Sequence, residues 1–482
     1  MTVTSTPTSV PRPRIAPDGA ANPRLPADER RAAGRAARHA VPLAGLAECP
    51  APTPSRDALA LLEEQSVGRV PELVPIRYGR MLASPFSFYR GAALVMAADL
   101  AALPYTGLTV QMCGDAHVAN FGFFGSPERR LVFDTNDFDE TLPGPFEFDV
   151  KRLVASLAVA ARENGLSRKR RRQVLLATAA RYRMAMAEFA AARDIDVWYS
   201  YLDTQEVLAD PRLDARQRKA LGRAFDKARS QDSLQAFGKL TETVDGRSVI
   251  RSQPPLLVPI RELMPELAGR DLTRDFHQLI RQYRTTLQHD RRILLERYDF
   301  VDMARKVVGV GSVGTRCWVV LLTGRDAEDP LLLQIKEAEP SVHARFLGRS
   351  RYSNQGQRVV TGQRLMQQAS DMFLGWQRAK GMDGAERDFY VRQLRDWKGS
   401  LVVDQLRPEG LQLYGEVCAW CLARGHARSG DRIAIAGYLG SSTKFDNAIA
   451  DFAETYADLN EGDHRQLADA VATGRVTAER VV

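Results

Sequence analysis

The chain has 482 residues, 44% apolar and 26% charged, the balance of a folded globular protein with length for two lobes, which excludes a peptide or a disulfide mini-protein. Net charge is +8, from 67 basic against 59 acidic residues, but much of the excess lies in the first forty residues and in Arg168–Arg172, without interleaved aromatics. A nucleic-acid stacking platform needs that interleaving, so the surplus reads as solvated charge and no nucleic-acid partner is expected. Five scattered cysteines, an odd number, argue against a disulfide framework and for a reducing, cytoplasmic location. There is no run of 18 apolar residues and no apolar leader, so neither a membrane span nor secretion is expected.

Residues 1–55, rich in Pro, Ala and Arg with almost no large-apolar periodicity, read as a disordered arm. A helical pattern starts at Arg56, breaks at Pro71, Pro75 and Pro85, and resumes as one long apolar helix over 86–103. The period then shortens. LTVQMCGDAHVANFGFF and RRLVFDTNDFDE read as short strands joined by a turn at SPER, with polar groups crowded at their ends. A helix is expected over 148–162, followed by Arg-rich amphipathic helices to about residue 297. From 304 the pattern KVVGVGSVGTRCWVVLLTGR and PLLLQIKEA is strand, Gly-rich turn, strand, loop and strand. Helix is expected again over 357–376, FYVRQLRDW is a strand, and LYGEVCAWCLARGHARSG and KFDNAIADFAETYADL are amphipathic helices. The expected organisation is the arm over 1–55, a helical lobe over 56–300, a β-rich lobe over 301–405, and helices over 406–482 that return to the helical lobe.

The densest chemical signal is Asp115 with Asn120 five residues on, then Asp137 about twenty residues later at the end of an apolar strand. Phosphoryl transfer asks for this set: one carboxylate to orient and deprotonate a hydroxyl, and an amide oxygen with a second carboxylate to hold Mg²⁺. Asp134, Asp137, Asp139 and Glu140 fall within seven residues and would repel one another without a cation among them. The plainer alternative is that these residues cap turns and line a solvated loop. The second signal is Gly309, Gly311, Ser312 and Gly314 between two strands, with Lys336 in a third. A Gly-rich β-turn lets backbone N–H groups approach phosphates, and a strand lysine supplies fixed positive charge. RCWVVLL after the glycines reads as a strand rather than the helix of a Rossmann site, so a hairpin over the nucleotide fits better. Cys418 and Cys421 form a CxxC in a helical pattern with no second pair, and read as core packing.

GDAHVANFG, FDTNDFDETLPGPFEFDVKRL, GVGSVGTRCWVVLL, LLLQIKEA and LARGHARSGD together resemble the bacterial DUF2252 family over about residues 60–465. CGDAHVAN also resembles the HGDxHxxN loop of aminoglycoside phosphotransferases and choline kinases, and NDFDE resembles their metal-binding segment. The resemblance implies an α/β (α+β), two-lobed protein-kinase-like fold with a helical large lobe and a small β-rich lobe. Because the catalytic loop precedes the Gly-rich hairpin here, it further implies a circular permutation.

On that resemblance Asp115 is the catalytic base, Asn120 and Asp137 are Mg²⁺ ligands, and Asp139 is a second metal ligand. Gly309, Gly311, Ser312 and Gly314 cover ATP, Lys336 pairs with its phosphates, and Asp149 lies in a helix supporting the catalytic loop. His117 either orients Asp115 or a phosphate, or is a buried hydrogen-bonded histidine. The implied activity is ATP- and Mg²⁺-dependent transfer of the γ-phosphate to a hydroxyl of a small-molecule acceptor. A pseudokinase-like nucleotide-binding regulator, or a nucleotidyltransferase on the same fold, is the alternative. Two departures bear on this choice. Cys113 stands where the loop usually begins with His, and no Glu occurs between Glu339 and Glu386 to pair with Lys336, leaving Asp371, Gln363 or Gln367 as candidates.

Overall fold

Short apolar runs flanked by Gly, Pro and Asn build the first strands. β1 (Thr109–Met112) pairs antiparallel with β4 (Leu142–Pro145), and between them β2 (Phe121–Gly125) pairs with β3 (Leu131–Thr135). The computed structural model describes residues 25–51, 56–211, 213–267, 273–381, 383–394 and 397–480. Helix Phe146–Glu163 follows β4 directly, with Glu147 and Asp149 in its first turn, where the positive end of the helix dipole favours them. This helix is buried along nearly its whole length because helices Arg168–Ala191, Pro408–Ser429 and Lys444–Ala472 pack around it. Phe146, Leu153, Tyr182, Tyr438 and Phe452 belong to the resulting core.

A hairpin of β5 (Thr241–Val244) and β6 (Arg247–Ile250) turns through Asp245 and Gly246, both at positive φ, and leads to the main sheet. That sheet contains β7 (Leu257–Pro259), β8 (Asp299–Lys306), β9 (Cys317–Thr323), β10 (Pro330–Glu337), β11 (Gly375–Lys380) and β12 (Glu386–Gln393). Its strand order is β11-β12-β10-β9-β8-β7, antiparallel throughout. Every residue of β10 is buried, since both sheet faces are covered. On one face Val320, Leu333 and Val391 pack with Phe276, Tyr283 and Leu295; on the other Val319, Leu321 and Leu332 pack with Ala236 and Ile250. Helix Gln355–Met366 lies between β10 and β11 in sequence and packs on β11 and β12.

Mixed helix and strand content makes the molecule α+β, as expected, but four boundaries differ. Residues 27–47, expected within a disordered arm, form helix Ala27–Ala40 and a 3-10 turn at Leu43–Ala47. The helix docks through small residues rather than large apolar ones: a Cβ at Gly34 would lie 1.8 Å from the Ala434 carbonyl oxygen, and one at Gly437 would lie 2.4 Å from that of Arg31. Arg30 clamps Asp431 at 2.8 Å alongside. Residues 1–24 and 52–55 of that expected arm lie outside the described residues.

The single helix expected over 86–103 is two, Pro85–Gly91 and Ala93–Ala101. Arginine side chains take the carbonyls at the break, Arg152 that of Tyr89 at 2.8 Å and Arg77 that of Gly91 at 3.2 Å. The helix expected over 357–376 ends at Met366, and Gly375 and Trp376 open β11. The β-rich region begins at β7 rather than at residue 301, and helices over 273–295 pack on the sheet.

Helix Pro408–Ser429 ends against the start of β1. Ser429 Oγ accepts from Gln111 N at 3.1 Å, and a Cβ at Gly430 would lie 2.8 Å from Thr109 O. No helix among the described residues is long and apolar enough to cross a membrane.

Candidate active site

The loop after β1 is held from below by helix Phe146–Glu163. Asp149 accepts hydrogen bonds from Cys113 N at 2.6 Å and Gly114 N at 3.0 Å, with His426 Nε2 3.2 Å away. His343 Nε2 donates to Gly114 O at 2.7 Å. Gly114 has φ +84°, and a Cβ there would lie 2.0 Å from Glu140 O, so only glycine lets the loop pass this close to the acidic segment. Cys113 does not leave a gap where a histidine was expected: its Sγ donates to Asp137 O at 3.3 Å and ties the same two segments.

Asp115 emerges from this loop with Oδ1 bound by Arg152, at 2.8 Å from Nε and 2.7 Å from Nη2. Its Oδ2 lies 3.7 Å from His117 Nε2. Burial pushes the Asp115 carboxyl up, and the Arg152 charge pulls it back. Burial, with the charges of Arg152 and Arg90, holds His117 well below the usual imidazole range, so the ring is neutral near pH 7. His117 Nδ1 is buried without a hydrogen-bond partner. Asn120 ties the loop to the acidic segment: its Nδ2 donates to Asp115 O at 2.7 Å, and its own carbonyl accepts from Asn136 N at 2.8 Å.

Lys336 reaches this segment from β10. Its Nζ lies 2.5 Å from Asp139 Oδ2 and 3.6 Å from Asp137 Oδ2, while Tyr390 donates to Asp139 Oδ1 at 2.6 Å. Burial opposes the Lys336 charge, but Asp137 and Asp139 outweigh it and hold the ammonium well above the usual lysine range. Burial likewise raises Asp137, and the charges of Lys336 and Arg392 reverse this and hold the carboxyl below the usual range. Asp139, expected as a second metal ligand, meets Lys336 through one oxygen and Tyr390 through the other. Asp371, Gln363 and Gln367 do not pair with Lys336: Asp371 accepts from Phe373 N and Gln393 N, and Gln363 donates to Gln367, which donates to Thr135 O.

The Gly-rich turn folds down onto the same place. Ser312 Oγ lies 3.4 Å from Asp139 Oδ2, Arg69 donates to the carbonyls of Gly311 and Val313, and Arg80 donates to that of Gly309 at 2.6 Å. Gly309 and Gly314 both have positive φ, which the turn requires of them. A cavity of about 600 Å³ adjoins Asn120 and Asp137 and is lined on its far side by Lys227, Gln231, Lys398 and Leu401.

Asn120 and Asp137 fit a Mg²⁺ site. Both offer hard oxygen donors, and the Asn120 amide nitrogen is turned toward the main chain, which leaves its oxygen for the cavity side. Among the described residues no group of three His, Cys, Asp or Glu side chains is arranged to hold a metal ion. Two protein ligands completed by substrate oxygens and water is the mode Mg²⁺ uses.

Arg152, Tyr390 and Arg392 were not foreseen from the sequence. Arg152 follows Asp149 by three residues, one helical turn, so both side chains can address one loop; that spacing was a usable signal. Tyr390 and Arg392 alternate along β12 opposite Lys336 and Gln334, a register that only the fold supplies. Cys418 and Cys421 are buried in helix Pro408–Ser429 within the main core.

No curated protein and no solved structure matches the chain. A family model described as "uncharacterized protein conserved in bacteria (DUF2252)" matches residues 69–470, which include the loop after β1, the acidic segment, the Gly-rich turn and Lys336. The chain is a member of this bacterial DUF2252 family.

Proposed function

We propose that the chain is an ATP- and Mg²⁺-dependent phosphotransferase that moves the γ-phosphate to a hydroxyl of a small-molecule acceptor, on a circularly permuted, two-lobed protein-kinase-like fold. The observation that carries this reading is that three separate stretches of chain meet, the loop of Asp115 and Asn120, the segment of Asp137, and Lys336 on β10. Two features of topology support it. A lysine strand, a helix and two further strands are arranged as β9-β10-β12-β11 under a Gly-rich turn, and the end of helix Pro408–Ser429 abuts the start of β1, where a permuted chain would be rejoined.

In this reading Asp115 accepts the acceptor's proton at Oδ2, the oxygen that Arg152 leaves free, while Arg152 fixes the carboxylate's orientation. Asn120 and Asp137 would hold Mg²⁺, which neutralises charge on the phosphates when bound. Lys336 and the Gly-rich turn position the phosphates. The Asp139–Lys336 pair favours a second reading, a nucleotide-binding regulator or a nucleotidyltransferase, because a lysine held by the metal segment itself departs from the arrangement in which a helix Glu pairs with it.

The test is thermal shift with Mg²⁺ and ATP on the wild type, Asp137→Ala and Lys336→Ala, since a ligand that binds only the native state raises its melting point. A Mg²⁺-dependent rise in the wild type, lost in both variants, supports the site; no rise in a folded wild type removes it. Phosphoryl transfer abolished by Asp115→Asn separates the enzyme from the regulator, whose nucleotide binding would not change.

A further inference from the structure

Five arginines converge on the floor beneath the Gly-rich turn, and four of them are engaged. Arg69 and Arg80 bind carbonyls of the turn, Arg77 binds Gln65, Ser66 and the Gly91 carbonyl, and Arg152 binds Asp115. Arg90 is the exception. Among the described residues its side chain makes no hydrogen bond and no ion pair, and its Nε is buried without a partner.

The backbone around Arg90 is fixed on both sides. Its carbonyl oxygen faces Gly311, where a Cβ would lie 3.1 Å away, and the preceding carbonyl, of Tyr89, accepts from Arg152 Nη2 at 2.8 Å. The Arg90 main chain is therefore seated between the Gly-rich turn and Arg152. Its charge is felt by His117, and Asp115 is the carboxylate that acts on it. The turn above contributes main-chain N–H groups at Gly311 and Ser312 that donate to no carbonyl of the described residues. A partly buried guanidinium without a hydrogen-bond partner is costly unless an anion completes it, and a planar fork together with free main-chain N–H groups suits a tetrahedral oxyanion.

We propose that Arg90, with the main-chain N–H groups of Gly311 and Ser312, forms a phosphate-binding site facing Asp115. That the anion is the phosphoryl group in transfer rests on the phosphotransferase reading; the existence of the site does not. The neutral His117 beside Asp115 does not supply this positive charge, and Lys336 is paired with Asp137 and Asp139, whereas Arg90 has no hydrogen bond or ion pair among the described residues.

The experiment measures inorganic phosphate binding by calorimetry and thermal shift, without Mg²⁺ or nucleotide, on the full chain and on Arg90→Gln, Arg90→Lys and Asp137→Ala. The wild type is expected to bind phosphate, and Arg90→Gln to bind it on the order of 10- to 100-fold more weakly, the loss of a charge-assisted bidentate contact. Arg90→Lys should fall between, because it keeps the charge without the fork. Asp137→Ala should keep phosphate binding. The proposal is overturned if the folded wild type does not bind phosphate, or if Arg90→Gln, melting as the wild type does without ligand, binds it equally well. Should Arg90→Gln fail to fold, wild-type affinity in Arg90→Lys overturns the bidentate site. Arg90-dependent phosphate binding in a protein that shows no Mg²⁺-ATP shift would uphold this site and remove the phosphotransferase reading alone.

Discussion

Asp115 and Asp139 each meet a buried cation that lies against a tyrosine, yet the two sets are built differently. Asp115 belongs to Arg152, whose guanidinium lies 3.9 Å from the Tyr89 ring centroid and also bonds the Tyr89 carbonyl. Asp139 belongs to Lys336, whose ammonium lies 5.5 Å from the Tyr390 ring centroid. The first set lies within one unit, a loop on the helix directly below it. The second joins the loop to the six-stranded sheet. A planar fork with several fixed partners holds one geometry, whereas an ammonium on a flexible stem can exchange one oxygen ligand for another. The difference separates an anchor from a latch: Arg152 presents Asp115 in one orientation, and Lys336 can give up a carboxylate oxygen for a phosphate oxygen.

The largest effect tests the anchor. Arg152→Met leaves the Asp115 carboxylate, 18% exposed, without its cation, and should cost about 3–5 kcal/mol of unfolding free energy. Chemical denaturation measures this, and a loss under about 1 kcal/mol would show that Asp115 does not depend on the pair.

The next effect sharpens the same comparison on the neighbouring residue. Lys151 is buried on the same helix as Arg152 but has no ion pair among the described residues, and lies 4.4 Å over the Phe452 ring. Burial pulls its ammonium from the ordinary 10.5 down to about 8, with Glu147 opposing. Because the folded-state value is depressed, the favourable contribution is complete above pH 10.5 and is lost as pH falls through about 8. At about 1.4 kcal/mol per pKa unit the loss is about 3–4 kcal/mol as an upper bound, reduced by attraction to the ring. Lys151→Met should lack this segment of the stability–pH curve; two superimposable curves from pH 11 to 7 would refute the assignment.

Chemistry-bearing segments were legible because they obey local rules. Gly114 at the loop's close approach, Asp149 in a first helical turn, and Lys336 in a strand led by the apolar run Leu331–Leu333 each follow from residue type and spacing. What escaped notice depends on partners distant in sequence. Helix Ala27–Ala40 has no apolar stripe to see, because Gly34 and Gly437 let two backbones touch, so composition alone suggested disorder. The break at Ala92 is invisible in an Ala- and Leu-rich run, since the groups that capture its carbonyls, Arg77 and Arg152, lie 14 and 63 residues away. By resemblance the partner of Lys336 is expected in the stretch 357–376, whereas the structure supplies it from the acidic segment 197 residues earlier.

The smallest effect bears on the latch. Lys336 is 2% exposed, but Asp139 and Asp137 are 27% and 31% exposed, so water still solvates the carboxylates when the lysine is gone. Lys336→Met should therefore cost only about 1–2 kcal/mol, between a surface pair and a fully buried one. A double-mutant cycle with Asp139→Asn should return a coupling of about 1 kcal/mol, larger than the coupling with Asp137→Asn, because Asp139 is the nearer partner. Hydrogen exchange should quicken in residues 136–140 and at the Lys336 end of β10, while Cys113 N and Gly114 N, held by Asp149, stay protected. Equal losses from Lys336→Met and Arg152→Met, with exchange rising at Gly114 as well, would mean that the cleft opens as one unit and that anchor and latch are a single structure.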